Sequence, residues 1–507
     1  MKKRLIALIL LVTMLITIAL TACDNGGGND VIGGGNTNDD GGNTKPDGGE
    51  QGGNTVSNEK SYGKSLEELG AMRGYFDGMA NDIKVNCVYG TPGCYKLEGN
   101  VLTFTSVSAE SVYSISGRFS GSIVIDTGDA YKFDLELSNL SIVSDSVNPI
   151  TIFSGDEVSI KAKNNTSNYI YDTRAAIDEG DTTSLSGAIH SEVDLEIGGK
   201  GKLFVVSSNN NGIHSKNDLQ LKNLNIVVGC KDNALKGNDS VELENVTATL
   251  IASKGDAIKT TRSDISAKGN QRGTVSFIGG SYNLYAAGDG IDASYNVTVR
   301  SGTNVSIFTG IYSSHTEQGT NADASAKGIK AANEVVIAGN LDIKSLDNAI
   351  HVNNDITLEN GKAPLGNLTI NSGTVSIYSH KEGLHADGSL AINGGKTVII
   401  SIDNGISAIN SKGGYTYTAG VLFAMMHQGK AADNATNCNV FANVGKRVSL
   451  SATKGSYLTA IIGSDKLTIN LPVTMPCDVV MLGSNTATAS TPVNSSVKLS
   501  EGGFIWE

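Results

Sequence analysis

The sequence has few of the residues that several functional classes require. It contains one tryptophan, seven prolines and 6% aromatic residues in 507 positions, so a broad platform of exposed rings is not expected. Lysine and arginine total 39 against 51 acids, which gives a formal net charge of −12. Nucleic acids and anionic lipid headgroups are bound by clustered basic residues. This composition therefore argues against both as partners, and 39% hydrophobic residues exclude wholesale disorder.

The N-terminus has the pattern of an export signal. Residues 1–22 combine a basic start with the apolar run Leu5–Leu20, which is short for a membrane-spanning helix. The ending Leu20-Thr-Ala-Cys23 resembles a bacterial lipobox, and this resemblance implies that Cys23 is lipidated. We therefore expect an extracytoplasmic lipoprotein anchored to a membrane. An ordinary secretory signal followed by an incidental cysteine is the alternative.

Residues 23–60 are rich in Gly, Asn and Asp and offer almost nothing to bury, which predicts a disordered linker. The segments that follow are predicted to be a β-rich body, residues 61–430, and a small C-terminal β region, residues 431–507. We expect a monomer.

The remaining cysteines fit an oxidising compartment better than a metal site, because no spacing among them is typical of zinc ligands. Cys87 and Cys94 flank a Pro-Gly turn, which favours a disulfide across a hairpin. A pairing of Cys438 with Cys477 is a weaker hypothesis. Cys230 is interpreted as a small buried hydrophobic residue.

One short pattern recurs along the middle of the chain: a small residue, then Ile or Leu, then a polar residue. Five of the steps between copies are 21 to 24 residues long and three are 33 to 38. The copies are Ala188-Ile-His190, Gly212-Ile-His214, Ala234-Leu-Lys236, Ala257-Ile-Lys259, Gly290-Ile-Asp292, Gly328-Ile-Lys330, Ala349-Ile-His351, Gly383-Leu-His385 and Gly405-Ile-Ser407.

Short stretches of alternating polarity, with Gly, Asn and Asp between them, separate these copies and indicate strands and turns. About three strands in each period of 22 residues predict one coil of a right-handed parallel β-helix, with equivalent residues stacked about 4.8 Å apart. The strand-rich residues 100–188 are predicted to form irregular first coils that cap the solenoid. A β-sandwich is the competing fold.

Several phrases in the chain resemble a bacterial family of carbohydrate-binding β-helix proteins, first described as cellulose- and polygalacturonate-binding proteins of clostridia. The matching phrases lie within residues 80–430 and include Tyr113-Ser-Ile-Ser-Gly117, Asn168-Tyr-Ile-Tyr-Asp172, Ser186-Gly-Ala-Ile-His-Ser191, Ile197-Gly-Gly-Lys-Gly-Lys-Leu203, Asn211-Gly-Ile-His-Ser-Lys-Asn-Asp-Leu219 and Lys254-Gly-Asp-Ala-Ile-Lys259. The resemblance implies a pectate-lyase-like fold, extracellular polysaccharide binding and bound calcium.

An acid precedes the repeated tripeptide in most copies. Carboxylates stacked on successive coils repel one another unless a cation neutralises them, and calcium is the hard cation that prefers such oxygens. We therefore predict a calcium site at Asp256, Asp289 and Asp292. The alternative is that each Asp caps its own turn by accepting backbone hydrogen bonds.

The third position of the tripeptide is often cationic. If that position faces outward, Lys236, Lys259, Lys330, His351 and His385 form a stripe that can contact uronate carboxylates or sugar hydroxyls on every coil. The alternative is that each lysine pairs with a neighbouring acid on a solvated surface.

Two other functions remain open at this stage. A calcium-dependent polyuronate lyase needs a cation and a basic residue, for which Lys259 or Lys330 beside the acids are candidates. A surface adhesin or spacer needs no ligand.

Overall fold

A computed structural model describes residues 81–176, 185–310, 325–359, 361–429 and 444–507. The predicted signal, Cys23, the linker of residues 23–60 and Cys438 lie outside these ranges. Within the described residues, no helix has the length and apolar character needed to cross a membrane.

The regular secondary structure of the described residues consists almost entirely of strands. Those of the N-terminal part are β1 (Lys84–Tyr89), β2 (Tyr95–Glu98), β3 (Val101–Thr105), β4 (Ser111–Ser120), β5 (Ser122–Asp126), β6 (Lys132–Ser144), β7 (Ile150–Ser154), β8 (Asp156–Ala162) and β9 (Ser167–Asp172).

The repeated part contributes shorter strands at regular intervals. They are β10 (Gly187–Ser191), β11 (Leu195–Gly198), β12 (Lys202–Ser207), β13 (Asn211–Ser215), β14 (Asp218–Lys222), β15 (Asn225–Cys230), β16 (Leu235–Gly237), β17 (Ser240–Ala252), β18 (Ile258–Lys259), β19 (Thr274–Ala286), β20 (Ile291–Asp292), β21 (Asn296–Val299), β22 (Thr303–Thr309), β23 (Ile329–Ala331), β24 (Glu334–Ile337), β25 (Asn340–Ser345), β26 (Ile350–Val352), β27 (Asn367–Ile370), β28 (Thr374–Ser379), β29 (Leu384–Ala386), β30 (Leu390–Ile392), β31 (Lys396–Ser401), β32 (Ile409–Ser411), β33 (Tyr415–Tyr417) and β34 (Val421–His427).

The C-terminal part contains six more strands in the described residues. They are β35 (Gly445–Ala452), β36 (Tyr457–Ile462), β37 (Asp465–Asn470), β38 (Met475–Leu482), β39 (Thr488–Val493) and β40 (Phe504–Trp506).

These strands form a solenoid of parallel coils. In the described residues, the large sheet has 23 strands, the second sheet 13 and the C-terminal sheet 4. Each regular coil gives two strands to the large sheet and one to the second sheet, as β14, β15 and β16 do. Every pairing from β10 to β34 within these sheets is parallel, β14 with β17 and β16 with β18 for example. The all-β solenoid is therefore confirmed, and a β-sandwich is excluded.

The repeated tripeptide is stacked in register, as the sequence predicts. Its middle residue points inward on each coil, so that Ile213 pairs with Leu235, and Leu235 with Ile258. These side chains and their equivalents are fully buried, with 0% exposure at Ile189, Ile213, Leu235, Ile258, Ile291, Ile329, Ile350 and Leu384. A column of aliphatic residues in one place on every coil holds the solenoid together, because each coil covers the apolar surface of its neighbours.

Sharp corners between the two strands of the large sheet use left-handed backbone. Asn245 (φ 52°) bends the long strand β17, and Gly279 (φ 73°) bends β19 at the adjacent coil. Asn and Gly adopt this conformation at little cost, which explains why the period is rich in both.

The prediction that Gly405-Ile-Ser407 is the last stacked copy of the tripeptide is wrong. His385 pairs with Asn410, so the stacked tripeptide is Ala408-Ile409-Asn410 rather than Gly405-Ile406-Ser407. Ile409 is 7% exposed, whereas Gly405 has a φ of 91° and Ile406 donates a hydrogen bond to the Asp403 carbonyl in a turn. The loop at this corner therefore contains residues that match the tripeptide pattern three positions before the copy that is stacked.

Both ends of the large sheet change from parallel to antiparallel pairing. At the N-terminal end β1 runs antiparallel to β4. At the other end β34 lies parallel to β31 and antiparallel to β38, which pairs with β35 in turn. Strands β36, β37, β39 and β40 form the separate antiparallel C-terminal sheet.

The structure does not contain the predicted disulfide between Cys87 and Cys94, both of which are free thiols. The prediction assumed a hairpin, but β1 pairs with β4 whereas β2 pairs with β3. The Tyr113 hydroxyl occupies the intervening turn, where it accepts a hydrogen bond from the Cys94 amide at 3.1 Å. Cys230 is 6% exposed and belongs to the core, as its apolar surroundings suggest.

Candidate binding face on the second sheet

The third tripeptide position forms one continuous line of polar side chains on the outside of the second sheet. Each member pairs in register with its equivalent on the next coil. We call this line the polar column, and it consists of His190, His214, Lys236, Lys259, Asp292, Lys330, His351, His385 and Asn410. All five residues predicted to bind carbohydrate belong to it.

Two of the lysines in the polar column are neutralised by acids. The Lys259 ammonium lies 2.7 Å from Asp256 Oδ2 and 3.0 Å from Asp292 Oδ2. Lys330 Nζ lies 3.1 Å from Asp292 Oδ1. Burial lowers the pKa of a lysine, but the neighbouring carboxylates outweigh this effect and raise the pKa of Lys259 and of Lys330 above the usual value. Both lysines therefore stay protonated at neutral pH, as the paired alternative requires.

Asp289 is the most buried of the three predicted calcium ligands, with 2% exposure. Its Oδ1 accepts hydrogen bonds from the Ser325 hydroxyl at 2.7 Å and the Lys327 amide at 2.8 Å. Burial first, and then the negative charge of Asp256, raise the pKa of Asp289 to about 6. The surroundings of Asp289 therefore oppose the ionisation of its carboxyl group.

The three acids are close together but do not surround one common position. Asp256 Oδ1 accepts a hydrogen bond from the Asp289 amide at 2.7 Å, so it acts in part as a turn cap. The ammonium of Lys259 lies between the carboxylates of Asp256 and Asp292, where a cation would bind. As arranged, these residues fit an ammonium group rather than a calcium ion, which needs six to eight oxygens.

Lys236 differs from the other lysines of the polar column. Among the described residues, no carboxylate lies within ion-pair distance of its ammonium group. Burial lowers the pKa of Lys236 below its usual value, although Asp232 and Asp256 partly oppose this effect. A half-buried cation without a partner is the member of the column best placed to receive an anionic group from outside.

The histidines at the N-terminal end of the column are buried and hydrogen-bonded to neighbouring side chains. The exposure of His190 is 0%, and its Nε2 lies 3.0 Å from Glu192 Oε1. His214 uses both ring nitrogens, bonding to Ser186 Oγ at 2.9 Å and to Asn238 Oδ1 at 3.2 Å. Burial first, and then the charges of His190 and Lys236, lower the pKa of His214 to about 3.

The histidines at the other end are more open and lie beside an acid that the sequence analysis missed. The ring centroids of His351 and His385 are 4.3 Å apart. Asp387, two residues after His385 and therefore on the same side of the strand, lies 3.0 Å from His385 Nε2. Burial first, and then His385, lower the pKa of His351 to about 4. The i, i+2 spacing of His385 and Asp387 in the sequence could have indicated this contact.

A second feature that the sequence analysis missed is an acidic groove of about 600 Å³ on the outside of the large sheet. Seven carboxylates and two lysines line it. Its floor includes Glu196, Gln220 and Glu242, which are in register on neighbouring coils. The signal was the alternation of polar residues in β11, β14 and β17, whose outward side chains fall on one line.

The described aromatic residues of the repeated part are buried or half-buried rather than displayed as a platform for sugar rings. Tyr282 is 1% exposed and packs edge-on against Phe277, and Tyr285 is 4% exposed and stacks on Phe308. Tyr169 and Phe204 form a stacked, half-buried pair with centroids 4.9 Å apart.

Comparison with known proteins gives a consistent family. A family model described as carbohydrate-binding domain-containing protein matches residues 98–366, which is more than half of the chain. A carbohydrate-binding domain-containing protein of Acetivibrio thermocellus is 29% identical over 124 residues, covering 24% of this chain and 43% of the relative's length. A solved polysaccharide lyase-like protein from C. thermocellum, in a gadolinium derivative, covers 47% of this chain and 98% of its own, at 24% identity and a TM-score of 0.40. With more than half of its length matched, this chain belongs to the family of carbohydrate-binding domain-containing proteins.

Proposed function

We propose that the protein binds polysaccharides of the cellulose or pectin class along the polar column of a right-handed parallel β-helix. The residues proposed to make contact are Lys236, Lys259, Lys330, His351 and His385. The observation that carries this proposal is the register of the column, in which one polar side chain stands at the same place on each of nine successive coils.

The geometry supports a polymer rather than a small ligand. Adjacent coils are spaced by about 4.8 Å, and a polysaccharide also presents its groups in a periodic row. Many weak contacts at matched intervals give useful affinity even when each contact contributes little. A flat outer sheet face suits an extended chain, and the half-exposed members of the column are the ones near its middle and C-terminal end.

The charges along the column favour a ligand that carries both hydroxyl and carboxylate groups. Lys259 and Lys330 already have carboxylate partners, so they can donate to hydroxyls but carry no net excess charge. Lys236 can pair with a uronate carboxylate in a charge-assisted hydrogen bond, which is roughly twice as strong as a neutral one. We therefore expect polygalacturonate to bind more tightly than cellulose.

Retention measurements test the proposal directly. The purified protein is run in native affinity gels containing polygalacturonate or soluble cellulose derivatives, and it is pulled down on insoluble cellulose. Retardation by polygalacturonate is the expected result. Failure to bind any of these glycans would contradict the proposal and leave the adhesin or spacer hypothesis.

Calcium is proposed as a cofactor at Asp256, Asp289 and Asp292. The support for it is the closeness of these carboxylates: burial first, and then the charge of Asp256, raise the pKa of Asp289, and a bound cation would relieve the part that comes from repulsion. Binding would require Lys259 to leave the space between Asp256 and Asp292. Titration calorimetry with calcium tests this, and the expected result is binding that Asp289→Asn abolishes. Absence of a calcium signal in the wild-type protein would exclude the site.

A calcium-dependent polyuronate lyase is the second candidate, and Lys236 is the observation that favours it. A general base must be deprotonated to act, and burial lowers the pKa of Lys236, whereas Lys259 and Lys330 are held protonated. The ultraviolet absorbance of unsaturated uronate, followed during incubation with polygalacturonate and calcium, tests for activity. A flat trace would contradict the lyase and leave binding unaffected.

The protein is also proposed to be a lipoprotein that is anchored through Cys23 and faces the outside of the cell membrane. The support is the resemblance of residues 20–23 to a lipobox. Metabolic labelling with a fatty acid analogue tests this. Label that is lost in Cys23→Ala is expected, and equal labelling of the wild-type protein and the variant would contradict the anchor.

A further inference from the structure

Among the described residues, one group of three side chains has the composition and spacing to hold a metal ion: His351, His385 and Asp387. One potential ligand atom from each lies within 4.8 Å of the others. His351 and His385 are equivalent positions on neighbouring coils, and Asp387 follows His385 by two residues. The group is therefore built by the solenoid register rather than by a flexible loop.

We propose that His351, His385 and Asp387 form a binding site for a divalent transition metal such as zinc, separate from any calcium bound elsewhere. Two imidazoles and one carboxylate are borderline ligands that suit zinc and its neighbours, whereas calcium prefers oxygen. A tetrahedral zinc site with bonds of about 2.0–2.1 Å places its ligand atoms roughly 3.3 Å apart. His385 Nε2 and Asp387 Oδ1 are already 3.0 Å apart, and a ring nitrogen of His351, which lies within 4.8 Å, has to move closer to complete the arrangement.

The surrounding groups support the ligand set. Glu382 Oε1 lies 3.8 Å from His385 Nδ1, the ring nitrogen that faces away from Asp387. Metal-bound histidines commonly donate their second N–H to a carboxylate, and Glu382 is close enough to take that role after a small approach, because His385 Nδ1 is buried and has no hydrogen-bond partner among the described residues. The Asn354 amide donates to Asp387 Oδ2 at 3.2 Å. Oδ1 is the oxygen that would bind the metal, and it now contacts His385 Nε2 and the Lys412 ammonium.

Lys412 now neutralises Asp387, with its ammonium 2.7 Å from Oδ1. Its side chain is 53% exposed, and the same ammonium is 3.4 Å from Asp355 Oδ2. A metal ion can therefore displace Lys412 from Asp387 while Lys412 keeps a carboxylate partner. The cationic group at this place indicates that the site favours positive charge.

The histidine pair at the other end of the column shows what distinguishes this site. His190, His214 and Glu192 form a similar group, in which the acid lies two residues after the histidine of the first coil rather than of the second. Both nitrogens of His214 are hydrogen-bonded, to Ser186 and Asn238, so His214 has no atom left for a metal. No described residue hydrogen-bonds to the side chain of His351, which is partly exposed. The N-terminal group, which has Glu192 where this site has Asp387, is thus an internal control of similar composition.

Three protein ligands leave at least one coordination position for water or for an oxygen atom of a bound ligand. Because His351 and His385 belong to the polar column, that position would open onto the proposed binding face. The metal site itself does not depend on polysaccharide binding and is tested without a glycan.

The experiment uses the full chain, purified without a histidine tag and treated with a chelator. Cobalt(II) is added as a spectroscopic probe, and zinc is then added to displace it, with the zinc affinity measured by calorimetry. We expect one cobalt per chain with a visible absorption band that zinc removes. His351→Gln and Asp387→Asn should each weaken zinc binding at least tenfold, and His214→Gln should leave it unchanged.

Circular dichroism and the melting temperature of each variant separate loss of a ligand from loss of the fold. His351→Gln is the most conservative change, because the His351 side chain makes no hydrogen bond to the described residues. A wild-type protein that gives neither a cobalt band nor zinc heat would overturn the proposal. Equal zinc affinity in His351→Gln, His214→Gln and the wild-type protein would also overturn it.

Discussion

Ile307 fills the space that a side chain on Gly290 would need. A methyl group built on Gly290 would overlap Ile307 Cγ2 and lie 2.6 Å from the Gly328 carbonyl oxygen. The other three glycines at the first tripeptide position that remain in the stacked register, Gly212, Gly328 and Gly383, meet a β-branched side chain in the same way, namely Val228, Ile343 and Ile399. Glycine is therefore required at this position by packing against strands of the large sheet, namely β15, β22, β25 and β31. It is not required by a left-handed backbone, because none of these four glycines has a positive φ.

The first prediction concerns this contact. Gly290→Ala should lower the free energy of unfolding by about 1–3 kcal/mol, the usual cost of overpacking a core. Ile307→Ala alone should lower it by about 2–5 kcal/mol because it leaves a cavity. The double variant should lose clearly less than the sum of the two, as measured by urea unfolding. Strictly additive losses would show that the two side chains do not compete for space.

The second prediction concerns the unpaired lysine of the polar column. Lys236→Gln should weaken polygalacturonate binding by about 1.5–3 kcal/mol, which is tenfold or more, because it removes a charge-assisted hydrogen bond. The difference should shrink at high salt. Retardation in affinity gels measures the effect.

Lys222→Gln is the matched control, since Lys222 lies on the outside of the large sheet, 3.6 Å from Glu196. It should bind like the wild-type protein. An equal loss in both variants would indicate a general charge effect and would count against the polar column as the binding face.

The third prediction concerns acid stability. The pKa of His214 is about 3 in the folded protein and about 6.5 when unfolded. A lowered folded pKa gives stability that is present above pH 6.5 and lost as the pH falls towards 3, since the unfolded chain binds the proton more tightly. The charges that face His214 are those of His190, Lys236 and Lys216.

His214→Asn should therefore reduce the loss of unfolding free energy between pH 6.5 and 3, by about 1.4 kcal/mol for each unit of pKa difference removed. Urea unfolding at several pH values gives the slope. Asn410→Ala, at another position of the column, removes no titratable group and should keep the wild-type slope. Identical slopes for His214→Asn and the wild-type protein would refute the assignment.

The fourth prediction concerns the free thiols. Cys87 lies in β1 of the large sheet, Cys94 directly precedes β2 of the second sheet, and both are unbonded, so a reductant should leave the melting temperature unchanged. Cys94→Ser should behave like the wild-type protein. Alkylation without prior reduction, followed by mass spectrometry, should label both thiols. A mass that shows Cys87 linked to Cys94 would restore the disulfide that the Pro-Gly turn suggested.

The stacking of the coils could be predicted because it follows from burial. The aliphatic residue of the tripeptide recurs between a small and a polar residue, mostly at steps of 21 to 24 residues. It can be buried on every coil only if the coils are in register, as Ile213, Leu235 and Ile258 are. The same logic failed at Gly405, because Ile406 and Ile409 lie three residues apart and only the position of the neighbouring coil decides between them.

The contacts on the outer faces were less predictable. The sequence allows Lys259 to pair with Asp256 on its own coil or with Asp292 on the next, and in the structure it pairs with both. This result depends on side-chain geometry rather than on sequence spacing. Asp387 was missed because the pattern considered only acids that precede the tripeptide. The acidic groove joins strands from several coils of a different sheet, and its residues are too far apart in the sequence to form a local motif.

The reversal of strand direction at the ends of the large sheet has a consequence for self-association. A parallel solenoid with bare ends offers unpaired backbone groups that another copy can extend, which is a common route to aggregation. Here β1 covers one end and β38 covers the other. The parallel coil pattern therefore stops at both ends, because β1 and β38 run antiparallel to the strands they cover and a second copy cannot continue the parallel coils from them.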